Sequence, residues 1–251
     1  METIKFYQVK NIASGCPRRS LFYLNNIEGK SQYYTAKKKF TTQKIIDYTV
    51  GRFGLDAVDP VYEPGEFDGR LSSETLDDIM SNFDALIKGH DITVSSVNRD
   101  LEYEVDGLGT VKLNIDAIGT FEGADAVFKI VPTTKFSRDY AWELILAEKT
   151  IRGDINYRLI VLKLGNGTFR EISKLGDRNK DGSLSKRSGA LGPWESLRAE
   201  SEKMIREGWK VLSEMESNPT QYNSPRFGGC GTCPFHNYEV IFNGETVTCS
   251  G

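Results

Sequence analysis

Thr110-Val111-Lys112-Leu113-Asn114-Ile115-Asp116-Ala117-Ile118-Gly119 is the stretch on which the fold turns. Val111, Leu113 and Ile115 alternate with Lys112, Asn114 and Asp116, which gives one apolar and one polar face and predicts a half-buried strand. Residues 101–105 and 126–131 are short β-branched runs set off from it by Gly-containing turns. Residues 157–164 and 168–172 read as a hairpin around Gly165-Asn166-Gly167. The runs on either side change to a helical period. Residues 139–151 carry one such pattern, and 40–53 another, with Ile45, Ile46 and Val50 on one side. In 73–88 the residues Leu76, Ile79, Met80, Phe83, Leu86 and Ile87 form a broad apolar face.

Beyond residue 175 a polar loop, 176–192, leads to Pro193-Trp194 and a long helix to about residue 216, with Leu197, Met204, Ile205, Trp209 and Leu212 toward a core. The remaining tail is rich in Pro and Gly and ends in a second hairpin, 238–242 with 245–248, around Asn243-Gly244. Helices, three strands, a helix, a hairpin and a long helix in that order predict an α/β fold around a central sheet.

The composition is that of a globular chain: 251 residues, 39% hydrophobic and 27% charged, which excludes disordered and fibrous classes. No apolar run approaches the roughly 20 residues that cross a bilayer. The first residues have no basic flank before an apolar stretch, so a cytoplasmic location is expected. A net charge of −3 argues against non-specific nucleic-acid binding, although local basic patches can still steer a polyanion. Two patches qualify: Lys37, Lys38, Lys39 and Lys44, and Lys174, Arg178, Lys180, Lys186 and Arg187. Solvated surface is the plainer reading of each; Lys37, Lys38 and Lys39 are the expected nucleic-acid contacts.

Four cysteines in a reducing compartment are poor candidates for disulfides, and their placement is uneven: Cys16, then Cys230, Cys233 and Cys249. Cys230-Gly231-Thr232-Cys233 puts two thiolates on a glycine-rich turn, a spacing that suits both zinc and iron–sulfur centres. Cys249, brought back by the terminal hairpin, is a candidate further ligand, and His236 competes with it. Asp177-Arg178-Asn179-Lys180-Asp181-Gly182 copies the first half of a calcium loop, but Ser188 stands where the closing Glu belongs, so a plain Asx/Gly loop is expected. His90, after Gly89 at a helix end, has no partner that the sequence names.

The Cys16-Pro17-Arg18-Arg19 start with Phe22-Tyr23, the central Ile115-Asp116 and the Cys230-x-x-Cys233-Pro234-Phe235 end together resemble the RecB-like branch of the PD-(D/E)xK nuclease superfamily. Within it, the likeness is to the iron–sulfur exonucleases associated with CRISPR systems and recombination helicases. The resemblance spreads over most of the chain and implies one nuclease-fold domain, 1–251: a helical part, 1–90, a sheet core, 91–175, and a C-terminal helix with the cysteine-bearing tail, 193–251. It implies that Cys16 joins Cys230, Cys233 and a further C-terminal ligand around a 4Fe–4S cluster that staples the ends. The family's last cysteine would fall near Asn237-Tyr238-Glu239, and Cys249 is the substitute; zinc remains the alternative to iron–sulfur.

The family's chemistry uses an acid on one strand and an acid-x-Lys on the next, which hold Mg or Mn. Asp116 matches the first acid and metal ligand. On the next strand Lys129 stands at the second acid and Val131 at the lysine. Glu104 or Asp125 could supply an acid, and Lys129 or Lys135 a migrated positive charge, so that Asp116, Glu104 and Lys129 form the candidate catalytic set. Glu143 sits where the family carries a glutamine. The resemblance therefore leaves three readings. One is a DNA-binding iron–sulfur protein acting on single strands or ends within a larger protein complex, without cleavage. The second is an active divalent-metal-dependent exonuclease with a migrated site, and the third a zinc-stapled protein-interaction module.

Overall fold

The structure is a computed structural model, and it describes residues 3–6, 8–9, 22, 33–60, 73–151, 156–217, 239–242 and 244–248. The chain is a mixed α/β fold with a central mixed sheet flanked by helices. Its elements in order are β1 (Thr3–Lys5), α1 (Tyr33–Phe53), α2 (Ser73–Gly89), β2 (Thr93–Val105), β3 (Gly109–Phe121), β4 (Ala124–Val131), α3 (Arg138–Thr150), β5 (Arg158–Lys163), β6 (Thr168–Glu171), α4 (Trp194–Ser217), β7 (Glu239–Phe242) and β8 (Glu245–Thr248). No helix among the described residues is long and apolar enough to cross a membrane.

The chain forms two compact units. One comprises Met1–Tyr34, Glu104–Lys112 and Glu202–Gly251; the other comprises Thr35–Tyr103 and Leu113–Ser201. In the first, β1 lies parallel to the start of β3, with Ile4 beside Val111, and both are buried. Gly208 of α4 is obligatory there, because a Cβ at this position would meet the Val9 carbonyl oxygen at 2.6 Å. β7 and β8 form an antiparallel hairpin in the register Glu239↔Thr248 to Phe242↔Glu245.

The second unit holds the remaining sheet in the order β2-β3-β4-β5-β6. The β3–β4 pair is antiparallel and closes through the two-residue turn Glu122-Gly123, both at positive φ, the geometry that matches strand twist. β4 and β5 are parallel, and α3 makes the crossover between them that parallel neighbours require. The β5–β6 pair is antiparallel again. Ala117, Phe121, Ala126, Phe128, Ile130, Ile160 and Leu162 from this sheet pack with Ile45 and Ile46 of α1 and with Ile79, Phe83, Leu86 and Ile87 of α2. The apolar stripes read from the sequence for 40–53 and 73–88 thus meet in this core.

Two elements are longer than their sequence signal. α1 begins at Tyr33, ahead of the apolar stripe at 40–53, and β2 begins at Thr93, eight residues before the run at 101–105. In β2 only Val94 and Val97 of the early residues are buried, and Asn98 at φ 48 interrupts the alternation, which hides the strand from a period-two search. The connection 176–192 is an ordered loop of the plain Asx/Gly kind.

Candidate functional site

Asp116 on β3, Lys129 on β4 and Glu143 on α3 converge. The regular β3–β4 register runs from Phe121↔Ala124 to Ala117↔Phe128, and beyond it side chains take over from backbone. The Asp116 carboxylate accepts the Ile130 N–H at 2.5 Å through Oδ2, and the Lys129 ammonium donates to the Asn114 carbonyl at 2.9 Å. Lys129 Nζ then lies 3.3 Å from Asp116 Oδ1 and 3.0 Å from Glu143 Oε2. Glu143 is itself fixed, since Oε1 accepts the Asn114 N–H at 3.2 Å. The Asn114 side chain continues the network, donating at 3.0 Å to Asn98 and to Asp100.

All three charged side chains are largely buried, at 15% exposure for Lys129, 19% for Asp116 and 14% for Glu143. Burial alone favours the neutral amine, but the Asp116 and Glu143 carboxylates outweigh it and hold the Lys129 pKa above the ordinary lysine range. Lys129 therefore stays an ammonium. Nearby, burial raises the Tyr140 phenol, with Lys129 opposing and Asp139, Asp116 and Glu143 adding to the rise. Asp116 also lines a pocket with Thr42, Ile45, Ile46, Thr49, Val97, Asn98 and Ile130 whose space of about 20 Å³ has room for a single water and not for a nucleotide.

The expected site residues fall as follows. Asp116 and Lys129 are together, and Glu143 completes the cluster. Glu104 is an exposed residue of the first unit. Asp125 is exposed at the start of β4, paired in register with Thr120, and Lys135 is exposed in the loop after β4. Lys37, Lys38 and Lys39 lie within α1, and their side chains are outside the described residues. Cys16, Cys230, Cys233, Cys249 and His236 also lie outside the described residues. Among the described residues, no group of three or more His, Cys, Asp or Glu side chains is placed to hold a metal ion.

The donor set around Asp116 does not fit a divalent cation. Its two carboxylates converge on the Lys129 ammonium, which stands where such an ion would bind them.

His90 has a partner after all: its Nδ1 is 2.9 Å from Glu122 Oε1, and its ring stacks on Phe121 with centroids 5.2 Å apart. Arg158 reaches both Glu122, at 3.0 Å, and Glu171, at 2.8 Å, while lying over the Phe121 ring. This second cluster closes one end of the β3–β4–β5–β6 sheet, and its members are too distant in sequence to be joined by any local signal.

No protein-family profile and no curated protein matches the sequence. A solved structure described as "Crystal structure of SSO0001" aligns over 93% of this chain and 84% of its own, at 17% identity and a TM-score of 0.39. A likeness of that size identifies neither fold family nor function.

Proposed function

We propose that this chain is a nucleic-acid-binding iron–sulfur protein of PD-(D/E)xK descent in which a lysine has replaced the catalytic cation. The observation that carries the reading is the Lys129 ammonium held between Asp116 and Glu143. A PD-(D/E)xK enzyme uses that position for the ion that activates water and steadies charge on the phosphate. Here the charge is permanent, largely buried and already neutralised, so it offers neither a metal-bound water nor an open coordination position. Asp116, as an acceptor of the Ile130 N–H, and Glu143, as an acceptor of the Asn114 N–H, are built into the frame of the sheet. The fold's binding role outlasts its chemistry.

Under this reading Cys16, Cys230, Cys233 and Cys249 hold a 4Fe–4S cluster that ties the two ends of the chain. It supplies structural cross-linking and no step on DNA. Zinc in the same thiolate set is the alternative. The partners are single strands or ends of DNA and a larger processing complex.

The test combines colour, binding and cleavage. Anaerobically purified protein should be brown and contain about four iron atoms per chain, and Cys230→Ser should bleach it; colourless protein with stoichiometric zinc contradicts the cluster. The wild type should retain labelled single-stranded DNA at low salt without shortening it in Mg or Mn. Mn-dependent shortening that disappears in Asp116→Ala would restore the enzyme reading.

A further inference from the structure

The geometry points to the loop between β6 and α4, and specifically Lys180, Lys186 and Arg187, as a preformed docking surface for the phosphates of single-stranded nucleic acid; this rests on the nucleic-acid reading above. Residues 172–193 contain no helix or named strand, yet a lattice of hydrogen bonds orders them. A connection of this length without secondary structure of its own is uncommon in a compact domain and is usually functional when ordered. Arg178 and Leu184 form an isolated antiparallel bridge, and Asn179 N–H donates to the Ser183 carbonyl at 2.8 Å. At the base, Asp177 N–H reaches the Leu191 carbonyl, and Ser185 N–H the Asp177 carbonyl, each at 2.8 Å. Gly176, at φ 76, sits where a Cβ would meet the Gly192 carbonyl carbon at 2.7 Å, so the two ends of the loop are pressed together.

The charges are sorted by this frame. Residues 174–187 hold five basic side chains (Lys174, Arg178, Lys180, Lys186, Arg187) and two acidic ones (Asp177, Asp181), a local +3 on a chain whose net charge is −3. Both acids are committed to the frame. Asp177 accepts from Arg170 and from the Leu191 N–H, and Asp181 accepts the N–H and hydroxyl of Ser183, which hold its carboxyl below the usual range. Two of the cations are also structural: Lys174 bonds to Asn156 and lies over the Trp194 ring, and Arg178 donates to the Gly182 carbonyl at 2.6 Å. Lys180, Lys186 and Arg187 are exposed and have no carboxylate partner among the described residues.

A solvated charge run needs no such frame, and it normally mixes its signs. Here the acids are hydrogen-bonded within the loop and the three cations are exposed, with their backbone ordering already complete before any partner arrives. Two large apolar side chains are exposed with them, Leu184 at 45% and Leu175 at 63%. That pairing of free cations with apolar surface fits a strand whose phosphates are charged and whose unstacked bases offer apolar faces. A duplex, with its bases stacked inside, would leave Leu184 without a role.

The experiment uses the full chain and a 5′-labelled single-stranded 20-mer, with anisotropy followed from 50 to 300 mM salt. The variant is Lys180→Gln/Lys186→Gln/Arg187→Gln, at three exposed positions whose side chains form no hydrogen bond or ion pair among the described residues; an unchanged melting temperature confirms that it folds. Three lost phosphate contacts should reduce the slope of log K against log salt by about 2 and weaken binding at 0.1 M salt roughly 100-fold. Leu184→Ser should weaken the single strand and leave duplex binding unchanged. Wild-type binding that the triple variant matches in strength and slope would overturn the loop assignment and leave the nucleic-acid reading standing. A wild type that binds no DNA would overturn both. Displacement of DNA by polyglutamate at equal charge concentration would overturn the assignment in favour of an acidic protein partner.

Discussion

Replacing Lys129 with methionine removes one charge and keeps most of the side-chain volume, so it isolates the ammonium. Its nitrogen attracts carboxylate oxygens at 3.3 and 3.0 Å. At an effective dielectric near 20 the two attractions sum to roughly 10 kcal/mol. Desolvation of the ammonium opposes this by several kcal/mol, and the loss expected when one partner of a buried ion pair is removed is about 3–5 kcal/mol. On a chain of this length that lowers the melting temperature on the order of 10 °C. The penalty depends on pH in a defined direction. In the wild type the raised Lys129 pKa means that its contribution is complete below the ordinary lysine range and is lost only as pH rises beyond it. Adding Asp116→Asn and Glu143→Gln to the methionine variant removes the orphaned charges and should recover most of the loss. Denaturant unfolding followed by tryptophan fluorescence reads all three chains. A loss under about 1 kcal/mol in Lys129→Met would refute the claim that this ammonium balances the two carboxylates.

Three further outcomes follow from the same geometry. Lys129→Glu gathers three carboxylates where the ammonium was. Its melting temperature should therefore fall below that of Lys129→Met in EDTA and rise with Mn, by the equivalent of about 2.7 kcal/mol at a hundred-fold excess over Kd; a Mn-insensitive variant contradicts the cluster's geometry. Gly119→Ala places a Cβ 2.0 Å from the Thr93 carbonyl oxygen, a backbone atom that cannot swing aside. It should cost about 3 kcal/mol or more or fail to fold, and a near-neutral result would displace β2 from its position against Gly119. Hydrogen bonds from His90 and Arg158 hold Glu122 below the usual carboxylate range, so its contribution is present above that range and is lost as pH falls through the depressed value. Melting curves of Glu122→Gln should accordingly be flatter than wild type between pH 5 and 3, and parallel curves would remove that interaction from the account.

The sequence made the sheet legible where apolar and polar residues alternate cleanly. Val111, Leu113 and Ile115 are buried on β3 as their spacing requires, and the β3–β4 turn falls at its glycine. It was silent over the first half of β2, ahead of the run at 101–105, where Ser95, Ser96 and Asn98 replace the β-branched residues that mark a strand. Asp116, Lys129 and Glu143 could each be singled out, but their convergence depends on the register of β3 against β4 and on the crossover through α3. Neither is written in local spacing. His90 illustrates the same limit: its partner Glu122 lies 32 positions away and reaches it only because α2 ends where the β3–β4 turn begins. The second basic patch was visible as composition; its sorting into framework and free charges needed the hydrogen bonds of the loop.

The most direct measurement is calorimetric titration of Mn into the wild type and into Asp116→Ala. With the Lys129 ammonium in the ion's place, the two titrations should be superimposable. A site present in the wild type and absent from Asp116→Ala would mean that the ammonium yields to a metal, and the central claim would fail.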